Sequence, residues 1–234
     1  LDFNFTGWGG KFEASKDNKM SQELQKYYKN ELLHVDFILE GGGVESNGVD
    51  TILTTSACML NKNRNSKLSS SQITLKLKDE FGVENILYLE HGYLAGDDTD
   101  SHIDTLARFI DEKTIMYVTC QNENDEHFKE LKLMEDELKE LAKIHDFKLT
   151  ALPMTDAIYF EDERLPATYA NFLFVNGGVL VPTYGVKQDE EALDIFRETF
   201  KDRDILGINC STLIKQHGSL HCVTMNFAKG VEII

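Results

Sequence analysis

Residues 103–152 read IDTLARFIDEKTIMYVTCQNENDEHFKELKLMEDELKELAKIHDFKLTAL. The runs 103–110 and 114–120 are rich in apolar and β-branched residues and flank a short polar turn, so they predict two paired strands. Between residues 126 and 145, apolar side chains recur at spacings of three and four, which predicts an amphipathic helix. A strand is predicted again over 148–152. The stretch is therefore a ββαβ unit.

The same order of elements is predicted once before this stretch and once after it. The predicted elements are strands 33–40 and 51–55 around an Asn47-Gly48 turn, helix 70–80 and strand 85–89, and then strands 169–175 and 179–182, helix 190–199 and strand 204–208, with a last strand over 221–226. Repeated units that bury a shared core predict an α/β fold arranged as a pseudo-symmetric, propeller-like ring. No linker composition interrupts the repeats, so we expect one domain over residues 1–234.

The composition excludes several classes of protein. The 234 residues include 14 Phe and 8 Tyr, which argues against disorder. The formal net charge is −16, and a nucleic-acid partner is not expected because a phosphate-binding surface needs excess Lys and Arg. No apolar run is long enough to span a membrane, and no signal peptide is recognised.

The four cysteines indicate a reducing compartment. They are widely spaced and include no CxxC pair, so we expect free thiols in a cytoplasmic protein. The chain opens on the alternating run Leu1-Asp2-Phe3-Asn4-Phe5, which is typical of a strand already under way. This start predicts that an N-terminal segment is absent from the chain.

The segment Glu40-Gly41-Gly42-Gly43 ends a predicted strand and has two interpretations. It is either an ordinary solvated turn or a place where the backbone approaches a ligand closely. Successive glycines permit such an approach, and the carboxylate of Glu40 would then be well placed to meet the ligand.

Residues 97–104 carry four carboxylates within eight positions, which repel one another unless they face water, a metal or a cationic ligand. The spacing fits neither calcium loops nor zinc sites, so no metal is predicted. His102 and Asp104 are two residues apart at the start of a predicted strand, and we expect their side chains to share one face.

Cys222 is the candidate nucleophile among the cysteines. A Gly turn and polar neighbours precede it, which favours exposure, whereas the other three are predicted to be small buried residues: Cys58, Cys120 and Cys210. A base would have to activate its thiol. His217 and His221 are too near in sequence for easy geometry, so His102 is the preferred candidate.

Taken in chain order, six segments of this sequence resemble the agmatine deiminase family, which belongs to the guanidine-modifying enzymes together with peptidylarginine and arginine deiminases. The segments are Phe5-Thr6-Gly7-Trp8-Gly9-Gly10-Lys11, Glu40-Gly41-Gly42-Gly43, Asn63-Arg64-Asn65, Gly96 to Asp104, Arg164-Leu165-Pro166-Ala167-Thr168-Tyr169 and Gly218-Ser219-Leu220-His221-Cys222. The resemblance covers essentially the whole chain.

The resemblance implies a pentein-like, pseudo-fivefold α/β propeller of ββαβ units with the site on its central axis. It further implies hydrolysis of agmatine to N-carbamoylputrescine and ammonia in putrescine and polyamine biosynthesis, without a metal or an organic cofactor, by a homodimer. Family members carry a Trp-x-Arg-Asp-x-Gly motif upstream of the Gly7-Trp8-Gly9 segment, and this chain begins after that point.

The resemblance also implies roles for individual residues. Cys222 would attack the guanidinium carbon, and His102 would protonate the departing ammonia and then activate water. Glu40 would orient His102, while Asp104 would hydrogen-bond the guanidinium nitrogens.

Two further residues are expected to assist. Asp98 would contribute to an acidic pocket for the substrate. Gly218 would shape the loop that carries Cys222, where a backbone N–H would steady the intermediate.

Two other functions compete with this one. A deiminase acting on free arginine or on peptidylarginine would use the same chemistry, but acidic segments near the site favour a substrate that ends in an amine. A propeller that only binds a partner is the second alternative, since a fold does not determine a function. Against it, a scaffold has no reason to keep Cys222, His102, Asp104 and Glu40 together.

Overall fold

The structure is a computed structural model that describes residues 1–227 and 230–234. A three-stranded sheet is its recurring element. The strands are β1 (Asp2–Asn4), β2 (His34–Ile38), β3 (Val44–Ser46), β4 (Thr51–Thr55), β5 (Asn85–Leu89), β6 (Ala107–Asp111), β7 (Thr114–Thr119), β8 (Lys148–Pro153), β9 (Tyr159–Phe160), β10 (Glu163–Arg164), β11 (Leu173–Val175), β12 (Gly178–Thr183) and β13 (Asp204–Asn209). The helices are α1 (Gly7–Gly10), α2 (Met20–Leu24), α3 (Ser56–Met59), α4 (Ser70–Phe81), α5 (Phe128–His145) and α6 (Gln188–Thr199). Short 3₁₀ turns cover Asp17–Lys19, Gln25–Tyr27, Gly41–Gly43, Ile103–Thr105, Leu213–Gln216 and His221–Val223.

The predicted ββαβ unit is present three times. In each unit two strands pair antiparallel, a helix follows, and the next strand pairs parallel to the second strand. The three sheets have the orders β3-β4-β5, β6-β7-β8 and β11-β12-β13, with α4, α5 and α6 as the crossover helices. The parallel pairing requires such a crossover, because a tight turn can join only antiparallel strands.

Local sequence explains where the crossover helices begin and end. Ser69 caps α4 in a reciprocal capping box with Gln72. The same helix ends at Gly82, whose φ of 65° is left-handed and easily adopted by glycine. Helix α5 buries Leu131, Met134 and Leu138, the apolar stripe that its sequence predicts.

The apolar side chains of the units form three core clusters. One cluster surrounds α6 and the third sheet and includes Phe172 and Phe196. A second joins α5 to the middle sheet through Met134 and Leu138, and a third packs α4 beneath the first sheet and β2. The first two clusters also include side chains of the preceding unit, such as Met116 and Leu53, so these cores join neighbouring units.

Two predicted strand boundaries at the start of the units were wrong. Residues 33–40 were expected to form the hairpin with β4, but β2 pairs in parallel with β1, and β3 is the partner of β4. The 3₁₀ turn Gly41–Gly43 separates β2 from β3. Residues 103–110 were expected to be one strand, but a 3₁₀ turn occupies Ile103–Thr105 and the strand begins at Ala107.

Two other predicted strands were also inaccurate. The strand expected over 169–175 is confined to Leu173–Val175, since the side chains before it are used in hydrogen bonds to neighbouring segments. The strand expected over 221–226 is absent from these described residues. A 3₁₀ turn, His221–Val223, stands there instead, and its backbone bonds to Asn171 rather than to a strand.

Two features bear on the cellular environment. Within the described ranges, no helix combines the length and apolar character needed to cross a bilayer. All four cysteines have free thiols.

We expect Leu138→Ala to destabilise the protein by about 2–5 kcal/mol, because it empties a fully buried position in the core of the middle unit. Leu133 lies on the same helix but is 43% exposed, so Leu133→Ala is the matched control and should change stability by less than about 0.5 kcal/mol. Urea unfolding followed by circular dichroism measures both. Equal losses would show that α5 does not pack as described.

Candidate active site

The site is built from the segments that lead into the first strand of each unit. Glu40 lies just before β3, His102 and Asp104 lie before β6, and Asn171 lies before β11. Cys222 lies in the 3₁₀ turn that follows the third unit. Hydrogen bonds join Glu40 to His102 and Asp104 to Asn171, so the entry segments meet at one place.

Glu40 and His102 form a buried pair that Arg64 supports. His102 donates from Nε2 to Oε2 of Glu40 at 2.8 Å. Arg64 donates to the same oxygen from Nη2 at 2.7 Å and from Nε at 3.0 Å. Since a carboxylate only accepts, the hydrogen on Nε2 is assigned, and Nδ1 is left facing the opposite direction.

The guanidinium of Arg64 also ties this pair to the acidic loop. It donates from Nη1 to Oδ2 of Asp100 at 2.8 Å and from Nη2 to the carbonyl of Thr99 at 2.9 Å. Lys11 in turn donates to Oδ1 of Asp100 at 2.7 Å. The carboxylate of Asp100 is therefore neutralised by two cations and is used to hold the loop.

Asp104 is buried and only one of its carboxylate oxygens is occupied. Its Oδ2 accepts from Nδ1 of His221 at 2.8 Å and from Nδ2 of Asn171 at 3.3 Å. Oδ1 has no hydrogen-bond partner among the residues that the structure describes. A buried carboxylate oxygen without a donor is unfavourable, so this atom is well suited to a cation that brings N–H groups.

A second buried chain of charges supports Asp104 from behind. Arg108 donates from Nη2 to Nε2 of His221 at 3.4 Å and from Nε to Oε2 of Glu45 at 2.6 Å. It also donates to the carbonyl of Phe172 at 2.8 Å. Glu40 is thus supported by Arg64, and Asp104 is supported through His221 by Arg108.

Gly42 brings the backbone against both groups. A Cβ built on Gly42 would stand 2.7 Å from Nδ1 of His102 and 2.9 Å from Oδ1 of Asp104. The gap that the two atoms line at Gly42 is therefore too small for a single methyl group. Of the two interpretations of the glycine run, the close approach is present, but it is to the side chains of the site.

Cys222 is exposed as a residue, as expected, but its sulfur is directed toward the buried Asn171. The thiol donates to Oδ1 of Asn171 at 3.4 Å. Desolvation of the thiol, together with the nearby carboxylate of Asp104, raises the pKa of Cys222 to about 12. A Cβ on Gly218 would lie 3.4 Å from Cβ of Cys222, so Gly218 packs directly against this residue.

The electrostatics keep both carboxylates ionised and His102 protonated. Burial favours neutral carboxyls, but hydrogen bonds from His102 and Arg64 outweigh it and hold the pKa of Glu40 below its ordinary value. For Asp104, burial is likewise outweighed by His221 and by the charge of His102, so its pKa is also lowered. Burial disfavours a charged His102, yet Cys58 and Glu40 raise the pKa of its imidazole to about 10.

One cluster of possible metal ligands is present among the described residues. It consists of Glu40, Cys58 and His102, whose ligand atoms lie within 4.8 Å of one another. The guanidinium of Arg64 is hydrogen-bonded to the same oxygen of Glu40. Because a dication there would face this positive charge, the group is better explained as a buried ion-pair network. Cys58 is buried as expected, but it contacts the site rather than an apolar core.

The structure brings together most of the residues singled out in the sequence. The carboxylate of Asp98 makes no hydrogen bond within the described residues, and its backbone carbonyl accepts from Lys11 at 2.6 Å. The charge of the neighbouring Asp97, by contrast, reaches Cys222. His102 and Asp104 do not share a strand face, because they border a 3₁₀ turn, but they converge on the gap at Gly42.

Sequence analysis missed several residues of the site. Arg64 belongs to the Asn63-Arg64-Asn65 segment, which carried the family resemblance but suggested no role. Asn171 gave no signal, because it fell inside the strand predicted over 169–175. His221 was considered only as a base and instead hydrogen-bonds to Asp104.

Comparison with known proteins identifies the family of this chain. A family model described as Porphyromonas-type peptidyl-arginine deiminase matches residues 1–227. The chain belongs to this family. The family membership predicted from the six segments is therefore confirmed. Relatives of this chain include proteins that are named agmatine deiminases.

Three relatives of the peptidyl-arginine deiminase family illustrate the similarity. A cysteine-to-serine variant of C. jejuni agmatine deiminase with substrate bound is 44% identical, with a TM-score of 0.91 over 100% of this chain and 67% of that one. A Porphyromonas gingivalis structure provisionally named an arginine deiminase is 49% identical, with a TM-score of 0.93 over 98% and 70%. Agmatine deiminase of Stutzerimonas stutzeri is 29% identical over 96% of this chain and 68% of its own length.

We expect the alkylation rate of Cys222 by iodoacetamide to rise about tenfold for each pH unit between pH 6 and 9.5, without levelling off. The reason is that only the thiolate reacts and the pKa of this thiol is raised to about 12. Peptide mass spectrometry measures the rate at Cys222 itself. Glutathione, a free thiol, is the control and should level off in this range; a plateau at Cys222 near pH 8 would contradict the expectation.

Proposed function

We propose that this protein is an agmatine deiminase, which hydrolyses agmatine to N-carbamoylputrescine and ammonia through a covalent intermediate on Cys222. The observation that carries the proposal is the unpartnered Oδ1 of buried Asp104, which faces the same gap as Nδ1 of His102. The thiol of Cys222 lies near Asp104, since the side-chain amide of Asn171 hydrogen-bonds to both residues. The relatives named as agmatine deiminases support this substrate.

The carboxylate of Asp104 binds the guanidinium group in this proposal. Its Oδ1 accepts from the N–H groups of the planar cation, and charge assistance strengthens these bonds. The lowered pKa of Asp104 keeps the carboxylate ionised at neutral pH. The net charge of −16 favours the approach of a dication such as agmatine.

Cys222 supplies the nucleophile, and the substrate helps to activate it. The pKa of the free thiol is raised by desolvation and by Asp104, so the resting residue is protonated. A bound guanidinium neutralises Asp104 and adds a positive charge beside the sulfur. Both changes favour the thiolate, which attacks the guanidinium carbon.

His102 transfers the protons of the reaction. The raised pKa of its imidazole supplies a proton at neutral pH. The tetrahedral adduct expels one nitrogen as ammonia when His102 donates this proton, and the C–N bond breaks to leave a thiouronium bound to sulfur. The neutral imidazole then takes a proton from water, and the hydroxide adds to the same carbon. The C–S bond breaks while the hydroxyl of the adduct loses its proton to solvent, which also received the proton of the thiol before the attack, so that N-carbamoylputrescine and the thiolate are released.

Glu40 orients His102 for this chemistry. Because Glu40 accepts from Nε2, the other nitrogen is directed toward Gly42, on the side where Oδ1 of Asp104 lies. Arg64 keeps Glu40 ionised through two hydrogen bonds. The arrangement stabilises the imidazolium and holds the ring in one orientation.

The wider predictions belong to the same proposal. We assign Asp98 to an acidic pocket for the distal amine, and Gly218 to the loop of Cys222, where its close packing supports a shaping role. The three units would be part of a five-bladed propeller, and residues 1–234 would belong to one catalytic domain. Four free thiols are compatible with a cytoplasmic enzyme of putrescine biosynthesis.

Free arginine and peptidylarginine are the competing substrates, since the family model and a related structure carry these names. We expect purified protein to release ammonia from agmatine at least about tenfold faster than from arginine or a blocked arginine amide, because acidic groups favour a second amine over an α-carboxylate. Ammonia and carbamoyl products are measured for all three compounds.

Cys222→Ala is the control for the proposed chemistry and should abolish turnover of every substrate. Equal rates on the three compounds would overturn the assignment to agmatine. Turnover that survives in Cys222→Ala would overturn the covalent mechanism. No turnover in the folded wild-type protein would favour the binding module instead.

Gly42→Ala should reduce kcat/KM for agmatine about 100-fold or more, because the added methyl would collide with His102 and Asp104 and displace both side chains. Gly41→Ala is the matched control. A Cβ on Gly41 meets nothing within 4 Å among the described residues, so activity should stay near the wild-type level. Steady-state kinetics with circular dichroism tests both variants, and equal activities would show that the reaction does not depend on the placement of these two side chains.

A further inference from the structure

His127 is a buried imidazole that is bonded to the start of the acidic loop, residues 95–101. Its side chain lies directly before α5 and the residue is only 1% exposed. Its Nε2 accepts from the backbone N–H of Ala95 at 2.7 Å, and its Nδ1 donates to Oδ1 of Asp125 at 2.7 Å. Since the loop leads directly into His102, this imidazole supports a segment that enters the site.

The partners of the ring assign its protonation state. A backbone N–H can only donate, so Nε2 must carry no hydrogen. The carboxylate of Asp125 can only accept, so the single hydrogen of the neutral imidazole is on Nδ1. A second proton would turn Nε2 into a donor that faces another donor. The bond to Ala95 therefore exists only while His127 is uncharged.

The groups around the ring favour this uncharged form. Burial lowers the pKa of His127, and the charge of Arg164 on β10 lowers it further. Asp125 and Glu126 act in the opposite direction but do not outweigh burial, and Arg164 hydrogen-bonds to both of their carboxylates. A further titratable neighbour is Tyr93, whose ring centroid lies 5.2 Å from that of the imidazole. The imidazole is thus neutral at pH 7.

The loop is internally bonded, so a displacement at Ala95 is passed on toward the site. The carboxylate of Asp97 accepts from the backbone N–H of Thr99 at 3.1 Å and of Ser101 at 2.7 Å. The hydroxyl of Thr99 accepts in turn from the backbone N–H of His102 at 3.1 Å. The backbone of His102 is therefore joined to the loop by hydrogen bonds as well as by the chain itself.

We propose that His127 is a positioning residue, which holds the acidic loop in its active placement through the uncharged form of its imidazole. This inference deepens the proposed function and rests on it, since the loop carries Asp98, which we assigned to the distal amine, and leads to His102. Arg64 holds the other end of the same loop with a permanent charge, whereas His127 holds its start with a group that titrates.

Acid should weaken this support. When the loop opens, the imidazole is exposed to water and takes up a proton near its ordinary pKa of about 6.5. In the closed loop its pKa is lower. Opening therefore binds a proton and becomes more favourable as pH falls below about 6.5. At pH 5, about 1.5 pH units lower, the ratio of open to closed loop rises by up to about 30-fold.

Hydrogen exchange at the Ala95 amide tests this change without requiring turnover. Exchange is measured at pH 7 and pH 5 by mass spectrometry with electron-transfer fragmentation, which resolves single amides, and is corrected for the exchange rate of the unfolded chain. We expect protection of this amide in wild type to fall at least about tenfold at pH 5. In His127→Gln it should change less than about threefold, because the oxygen of glutamine accepts the same N–H and does not titrate.

His91→Gln is the matched control for this exchange experiment. His91 lies four residues before Ala95 and hydrogen-bonds to the side chain of Glu137. The same substitution there should leave the pH dependence at Ala95 as it is in wild type. Protection that does not depend on pH in wild type, or a tenfold fall that persists in His127→Gln, would overturn the proposal.

Steady-state kinetics with agmatine tests the link to the site, with folding checked by circular dichroism. His127→Ala should lower kcat/KM at pH 7 at least about tenfold, because the loop loses its bond at Ala95. His127→Gln should stay within about threefold of wild type, since it restores the acceptor. Equal losses in the two variants would overturn the positioning role.

The pH dependence of the same kinetics gives a readout that a purely structural role would not change. The ratio of kcat/KM in His127→Gln to that in wild type should rise at least about threefold from pH 7 to pH 5, because only wild type loses its loop support. The ratio removes the titration of Cys222 and of other groups that both proteins share. A ratio that does not change with pH would overturn the proposal.

The exchange and kinetic measurements separate this inference from the proposed function. If wild type does not deiminate agmatine while protection of the Ala95 amide follows pH as expected, the proposed function fails and the support of the loop by neutral His127 stands. If agmatine is deiminated and this protection is independent of pH, the proposed function stands and the role of His127 fails.

Discussion

The buried guanidinium of Arg64 is the interaction on which the site depends. It lies between the carboxylates of Glu40 and Asp100 and reaches the carbonyl of Thr99, so it joins the segment before β3 to the acidic loop. Without a cation there, the buried carboxylate of Glu40 and the partly buried one of Asp100 would repel each other or take up protons. The orientation of His102 follows from Glu40, and therefore from Arg64.

Repetition of the ββαβ unit explains why distant residues meet. The core clusters join the second and third crossover helices to their own sheets and to the preceding unit, and the entry segments add buried apolar residues such as Ile103 and Phe172 beside the polar residues of the site. Three such segments contribute Glu40, the pair His102 and Asp104, and Asn171. Rigid units thus support chemistry on irregular backbone, which is where binding and catalytic side chains commonly lie.

Two buried carboxylate oxygens of the site have no hydrogen-bond partner among the described residues, Oε1 of Glu40 and Oδ1 of Asp104. The other oxygen of Glu40 is paired with Arg64 and His102, while Oδ2 of Asp104 accepts from His221, which Arg108 supports from behind. Oδ1 of Asp104 is the one that lies against Gly42. N–H donors of a cation would satisfy these oxygens, whereas an anion would be repelled, so the arrangement favours a cationic ligand.

The sequence by itself determined the three ββαβ units, the family and four residues of the site, because periodicity and short motifs report local structure. It did not determine that Val44–Ser46, rather than residues 33–40, pairs with β4, or that Ile103–Thr105 and His221–Val223 are 3₁₀ turns, since contacts with distant segments override local preference there. The parts played by Arg64, Asn171 and His221 required the tertiary structure. Their partners lie far away in the chain, and only the packing of separate units brings a donor within reach of each buried acceptor.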